Sequence, residues 1–214
     1  MTTKSFFALG LIALLATPAL AQTPAPAPKP APKADAAAAP KAAPAPTGTL
    51  KVALETTKGR IVLQLFPDKA PKTVASFLTY VDAGFYTGIA FHRVIDNFMI
   101  QTGGYTASLE SKRTNPPVPN EADNGLTNDR GTIAMARTSD PDSATSQFFI
   151  NTNNNASLNH KGKTPKGWGY TVFGKVVEGM DVVDTIGKVR TGNKNGMNDV
   201  PLEPIVIKKA SRVP

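Results

Sequence analysis

Cysteine is absent from the 214 residues, and histidine occurs only at His92 and His160. Without thiols there is no disulfide, no thiolate nucleophile, no Cys-ligated zinc and no iron–sulfur cluster. Two histidines supply too few ligands for a histidine-based metal cage. Several nucleophile, metal and cofactor motifs are missing too: His-Glu-x-x-His, Gly-x-Ser-x-Gly and Gly-x-Gly-x-x-Gly do not occur. Gly162-Lys163-Thr164 looks like the end of a phosphate loop, but the first glycine of that motif would fall on Ser157. Asp140 and Asp142 form a close acidic pair in a Ser/Thr-rich loop, with nothing beside them to raise the pKa of one carboxyl. An enzyme built from this inventory must work without a covalent intermediate, a metal or a cofactor.

Residues 1–21 read as a secretory signal peptide. Lys4 gives the positive start, Phe6 to Ala16 an apolar run of 11 residues, and Ala19-Leu20-Ala21 the small-x-small cleavage site before Gln22. The run is short of the ~20 residues that a membrane-spanning helix needs. With no cysteine for a lipid anchor, the expected product is exported, soluble and periplasmic. Residues 22–48 form a Pro/Ala-rich linker: of the 26 residues from Gln22 to Thr47, 8 are Pro and 11 are Ala. Such a tract cannot bury a core and favours an extended, disordered spacer. The folded domain is expected over 49–214, with 20 Lys and Arg against 15 Asp and Glu, or +5 of the chain's +8. No basic helix or aromatic–basic interleave accompanies that charge, so nucleic acid is not an expected partner.

Within the domain, period-two patterns dominate. Leu50, Val52 and Leu54 alternate with polar or small residues, and Ile61, Leu63 and Leu65 follow a Thr57-Lys58-Gly59 turn, which predicts an antiparallel hairpin. Between Pro67 and Gly84 the period changes: Val74, Phe77, Leu78 and Val81 share one helical face. Further strands are expected at 90–94, 98–101, 132–136, 147–151, 170–176 and 204–208, with a short helix at 180–186. About eight strands and two helices predict a mainly β fold, a closed eight-stranded antiparallel barrel capped by two α-helices.

Three segments mix apolar bulk with a few polar residues: Phe91-His92-Arg93 through Gly103-Gly104, Gly131 through Arg137, and Ser146-Gln147-Phe148-Phe149-Ile150-Asn151. Together with Asn120-Glu121 and Val172 through Gly179, in the same order over about residues 50 to 210, they resemble the cyclophilins, the peptidyl-prolyl cis–trans isomerases, and especially their bacterial exported branch. The resemblance implies a catalytic arginine, Arg93, beside a hydrophobic proline pocket walled by Phe98, Met99, Phe149 and Leu158. It places Gln101, Ala136 and Arg137 along the groove for the substrate backbone, Ala136 and Arg137 chiefly through main-chain groups, with Gln147 a further polar groove residue. No cofactor or metal is implied, and the partners would be proline-containing unfolded or nascent exported polypeptides. Strand alternation assigns Phe148 and His92 to structural roles, since each neighbours a groove residue of the opposite face.

The sequence departs from the family pattern at the pocket rim. Ser157 stands where many members carry a Trp, Tyr170 where many carry a rim His, and Arg137 where an Asn is common. Loss of the indole predicts weak binding of cyclosporin, the family's inhibitor. Trp168 lies about ten residues later, in a loop that looks longer than usual. Asn155-Ala156-Ser157 is a formal glycosylation triplet, meaningful only in a eukaryotic host. A monomer is expected, because no heptad or second apolar face is evident. Two other readings compete: a peptide-binding chaperone whose isomerisation is incidental, and a basic surface-binding protein using the Lys-bearing tail. The Arg–Phe–Met–Gln set favours the isomerase, because binding alone needs no arginine at an imide nitrogen.

Overall fold

The computed structural model describes residues 50–214; the expected signal peptide and Pro/Ala-rich linker lie outside the described residues. The first alternating stretch forms β1 (Lys51–Thr56) and β2 (Gly59–Leu65), with Thr56 opposite Gly59 across the turn. Gly59 has φ 137°, and a Cβ there would lie 2.7 Å from Val182 Cγ2, so a side chain would collide with the second helix. The chain continues through α1 (Pro71–Asp82), β3 (Ile89–Ala90), β4 (Arg93–Ile95), β5 (Met99–Thr102), β6 (Thr132–Met135) and β7 (Phe148–Asn151). It ends with β8 (Val172–Glu178), α2 (Met180–Gly187), β9 (Thr191–Lys194), β10 (Met197–Pro201) and β11 (Val206–Val213).

In α1 the expected face is the buried one: Val74, Phe77, Leu78 and Val81, joined by Thr73 and Tyr80. Pro71 stands in the first turn, where its missing N–H costs nothing. No side chain at the helix's own N-cap accepts a hydrogen bond. Glu121, distant in sequence, fills that place: its carboxylate accepts the backbone N–H groups of Lys72 (3.1 Å) and Thr73 (2.9 Å) and the Thr73 hydroxyl (2.7 Å). A carboxylate there also faces the positive end of the helix dipole.

The strands differ from expectation in number and closure. Nine strands form one antiparallel sheet in the order β3-β11-β1-β2-β8-β6-β7-β5-β4. The expected closed eight-stranded barrel is instead a curled sheet whose ladder is open between its edge strands, β3 and β4. The segment 90–94, read as one strand, is broken at Phe91-His92. Phe91 N–H donates to Ile205 O (2.8 Å) and His92 N–H to Gln101 O (3.1 Å), so two successive residues bond to opposite ends of the sheet. β9 and β10 make a separate hairpin that the sequence reading did not anticipate.

The sheet's two faces carry two apolar clusters. Val94, Ile100, Ile133, Met135, Phe148 and Ile150 lie in the principal core with the buried faces of α1 and α2. There Phe77 meets Phe148 edge-on at 5.4 Å and Phe173 at 5.3 Å between ring centroids. Complete burial of a ring such as Phe77 contributes roughly 1.5–3 kcal/mol. The alternate residues of the same strands turn the other way: Met99, Ala134 and Phe149, with Val172 of β8, form a smaller second cluster.

Candidate active site

The pairing register assembles the second face. Arg93 of β4 lies opposite Gln101 of β5, Gln101 opposite Phe149 of β7, and Phe149 opposite Ala134 of β6. One row further, Ile95 faces Met99 and Met99 faces Asn151. Directly paired residues share a face, so Arg93, Gln101 and Phe149 form a row across three strands, spanning roughly 10 Å at ~4.8 Å per strand. Met99 and Phe149 are buried in the second cluster, while Phe98, Leu158, Tyr170 and Ala136 pack against it and remain half-exposed. Every apolar residue expected at the pocket is therefore in one patch.

The polar members surround that patch. Gln101 Nε2 donates to Gln147 Oε1 at 3.0 Å. Gly104 makes room for the pair, since a Cβ there would sit 2.6 Å from Gln147 Nε2. Ala136 N–H donates to Gln147 O at 2.9 Å, so its carbonyl, not its amide, is left for a bound peptide. Arg93, Gln101 and Gln147 line a cleft of about 390 Å³ with His92, Tyr105, Met197, Asn198 and Asp199. Arg93 is 44% exposed there, with its Nε 3.6 Å from Asp199 Oδ2. The expectation that His92 faces away from the groove is not met: it lies before β4, outside any strand, and lines the same cleft as Arg93, although it is buried, its ring 4.8 Å from that of Tyr105. Burial first, and the adjacent Arg93 charge after it, push His92 down to about 4, so it is neutral at pH 7.

On the other side of the patch, Arg137, Ser157, Leu158, Gly169 and Tyr170 line a second concavity of about 590 Å³. Arg137, expected to contribute chiefly main-chain groups, uses its side chain as a brace. Its Nε donates to Gly169 O (2.9 Å), its terminal nitrogens to Thr138 O (2.9 Å) and Pro165 O (3.2 Å), and its guanidinium lies 4.9 Å from the Tyr170 ring centroid. Tyr170 in turn meets Phe149 edge-on at 5.6 Å. Trp168 is held within its loop against His160 (5.3 Å) and is not among the lining residues.

Sequence reasoning missed a supporting layer of asparagines. Asn155 Nδ2 donates to Phe98 O (2.8 Å) and Asn151 Oδ1 (2.6 Å), and Asn155 O accepts the Leu158 N–H (2.9 Å). Asn128 Nδ2 donates to Leu158 O at 3.2 Å. The nominal glycosylation residue is thus buried and occupied, a brace for two pocket residues. Asp199 was missed as well. The dipeptide Asn195-Gly196 between β9 and β10 was a usable hairpin cue, but the flanking strands lack the apolar alternation that would have drawn attention to it.

Comparison with known proteins follows this geometry. A family model described as "Cyclophilin type peptidyl-prolyl cis-trans isomerase/CLD" matches residues 51–212. A peptidyl-prolyl cis-trans isomerase of Streptomyces antibioticus is 60% identical over 159 residues, covering 74% of this chain and 96% of that protein. Peptidyl-prolyl cis-trans isomerase B of Escherichia coli is 52% identical over 160 residues, covering 75% and 98%. A crystal structure of a cyclophilin-type isomerase from Cryptosporidium parvum superimposes with a TM-score of 0.64 at 26% identity, covering 78% of this chain and 99% of that one.

Proposed function

The chain belongs to the cyclophilin-type peptidyl-prolyl cis-trans isomerases, and from that premise we propose that Arg93 catalyses X-Pro rotation by binding the twisted imide beside the Phe98, Met99, Phe149, Leu158 and Tyr170 patch. The observation that carries this reading is the register of Arg93, Gln101 and Phe149 in one row on one face. Amide resonance puts a barrier of ~18–20 kcal/mol on rotation about the C–N bond. Twisting breaks the conjugation and leaves a localised lone pair on the proline nitrogen. A guanidinium donor aimed at that nitrogen binds the twisted state and finds little to hold in the planar one, which is the differential binding catalysis needs. The planar amide is also the more dipolar form, so an apolar patch under the ring favours the twisted one.

One arginine is not sufficient. An acceleration of ~10⁵-fold requires ~7 kcal/mol at ~1.4 kcal/mol per tenfold. A hydrogen bond to a charged group supplies ~1.5–3 kcal/mol. The remainder falls to positioning by the groove, where Gln101, Gln147 and the main chain of Ala136 and Arg137 hold the substrate backbone, and to desolvation in the patch. The expected test is an NMR exchange or protease-coupled assay on Ala-Pro peptides. Arg93→Ala loses ~10²-fold or more in kcat/KM with the fold intact; a fully active variant rejects the mechanism. Client protection that persists undiminished in that variant would instead point to a chaperone.

The substrates, on this reading, are proline-containing unfolded or nascent polypeptides in the periplasm. The support is the Lys4 to Ala21 pattern and the Pro/Ala-rich tract that follows it. Weak cyclosporin binding is also proposed. It is supported by exposed Ser157 at the rim and by the engagement of Trp168 with His160, away from the lining residues. Sub-micromolar inhibition by cyclosporin would refute it.

A further inference from the structure

The β9–β10 hairpin stands outside the nine-stranded sheet, and only Val200 and Pro201 of its strands are buried. Its ladder pairs Met197 with Lys194 and Val200 with Gly192, which leaves one extra residue on β10. Asp199 sits in that irregularity with φ 60°, a left-handed conformation that side-chain-bearing residues seldom adopt. Bulges of this kind redirect side chains. Here Asp199, on a strand that packs against β4, joins Arg93 among the residues lining the cleft.

The way it meets the arginine is informative. Arg130 and Arg212 form close hydrogen-bonded pairs with Asp184 and Asp82, each using a terminal nitrogen and Arg212 its Nε as well. Asp199 approaches Arg93 at Nε, at 3.6 Å. That edge of the guanidinium is engaged while the terminal nitrogens stay available to a substrate. With side chains 44% and 39% exposed, the pair is screened by solvent and adds little to stability. An acid held in an unfavourable backbone conformation, in a contact that scarcely stabilises the fold, calls for another role.

We propose that Asp199 is a positioning residue: it draws the Arg93 guanidinium from its Nε side and keeps the terminal nitrogens directed at the substrate imide. The inference rests on the catalytic reading of Arg93. An acid so placed changes how much of the time the arginine is correctly oriented, so its removal acts on kcat more than on KM.

The test is NMR exchange on an Ala-Pro peptide with Asp199→Asn and Asp199→Gly, each alone and combined with Arg93→Ala. Each single variant loses about 3-fold in kcat, the size expected of one exposed ion pair, with KM and the thermal midpoint little changed. Glycine relieves the left-handed backbone, so a loss shared by both variants reports the missing carboxylate and not misfolding. In the Arg93→Ala background neither substitution has a further effect, as coupling through that side chain requires. Single variants at or above wild-type kcat, or an equal loss in the Arg93→Ala background, would overturn the role of Asp199 and leave the Arg93 mechanism standing. Full activity of Arg93→Ala alone would overturn both.

Discussion

Phe148 and Phe149 are identical side chains, adjacent on β7 and almost equally buried at 0% and 4% exposure, yet they serve different cores. Phe148 is packed edge-on to Phe77 and Tyr86 in the large cluster under the helices. Phe149 belongs to a cluster with only four fully buried members, ringed by half-exposed side chains. His92 and Arg93 are the converse case: one ring buried and one cation exposed, yet both line one cleft. Fractional burial does not tell the two phenylalanines apart; the face of the sheet does. One strand can therefore hold the main core together with every second residue and supply a smaller, half-exposed cluster with the others.

Substitution of the paired phenylalanines is the strongest attempt to break that division. Phe148→Ala should lose ~3–5 kcal/mol in urea unfolding, because the enclosed core cannot collapse around the cavity. Phe149→Ala should lose less, about 1–2 kcal/mol, since half-exposed neighbours can close over the gap. It should also lower kcat/KM on Ala-Pro peptides by ~10-fold or more, as a missing apolar contact to substrate would. Equal destabilisation with equal retention of activity would show that the two faces are not functionally distinct.

His92 sharpens the comparison through pH. Its folded pKa of about 4 lies below the ordinary 6.5, so between those values the unfolded chain takes up a proton that the folded chain refuses. Stability from this residue is present above pH ~6.5 and is lost as pH falls toward ~4, a change of about 3 kcal/mol. His92→Phe keeps an aromatic ring against Tyr105 and removes the titration. Urea unfolding at pH 7 and pH 5 should then differ less for the variant than for wild type. An unchanged acid limb would place the proton uptake on some other group.

The smallest expected effect lies at the rim. Arg137→Ala frees Gly169 O, Pro165 O and the Tyr170 face, loosening one wall of the second cluster. Steady-state kinetics should show KM raised about 3-fold, with kcat and the unfolding midpoint nearly unchanged, as expected for weakened ground-state contacts. A large fall in kcat would move Arg137 from bracing the rim to the reaction itself.

Much of this division could be read before any coordinates. Alternation separated Phe148 from Phe149, because successive strand residues must point to opposite sides; it misplaced His92, which precedes β4 and lines the Arg93 cleft. The period of Val74, Phe77, Leu78 and Val81 gave the buried face of α1 for a similar reason. The break at Phe91-His92 was not readable. Its residues are as apolar and β-favouring as their neighbours, and only bonding to Ile205 and Gln101 at opposite ends of the sheet interrupts the strand. The Glu121 cap of α1, the asparagines beneath Phe98 and Leu158, and the side-chain brace of Arg137 also escaped notice. Each is a polar residue whose partners are distant in sequence or hidden in a loop, and residue type alone does not name a partner.

By itself the sequence determined the absence of thiol chemistry, the two-sided strands and the helix face. These are properties of composition and local period, imposed on each segment by its own backbone geometry. The tertiary structure alone decided that the sheet stays open between β3 and β4, that a remote carboxylate caps α1, and that a bulged acid meets the arginine. Those outcomes depend on which segments come together in space, and hydrogen bonds and charges act over a few ångströms whatever their separation along the chain.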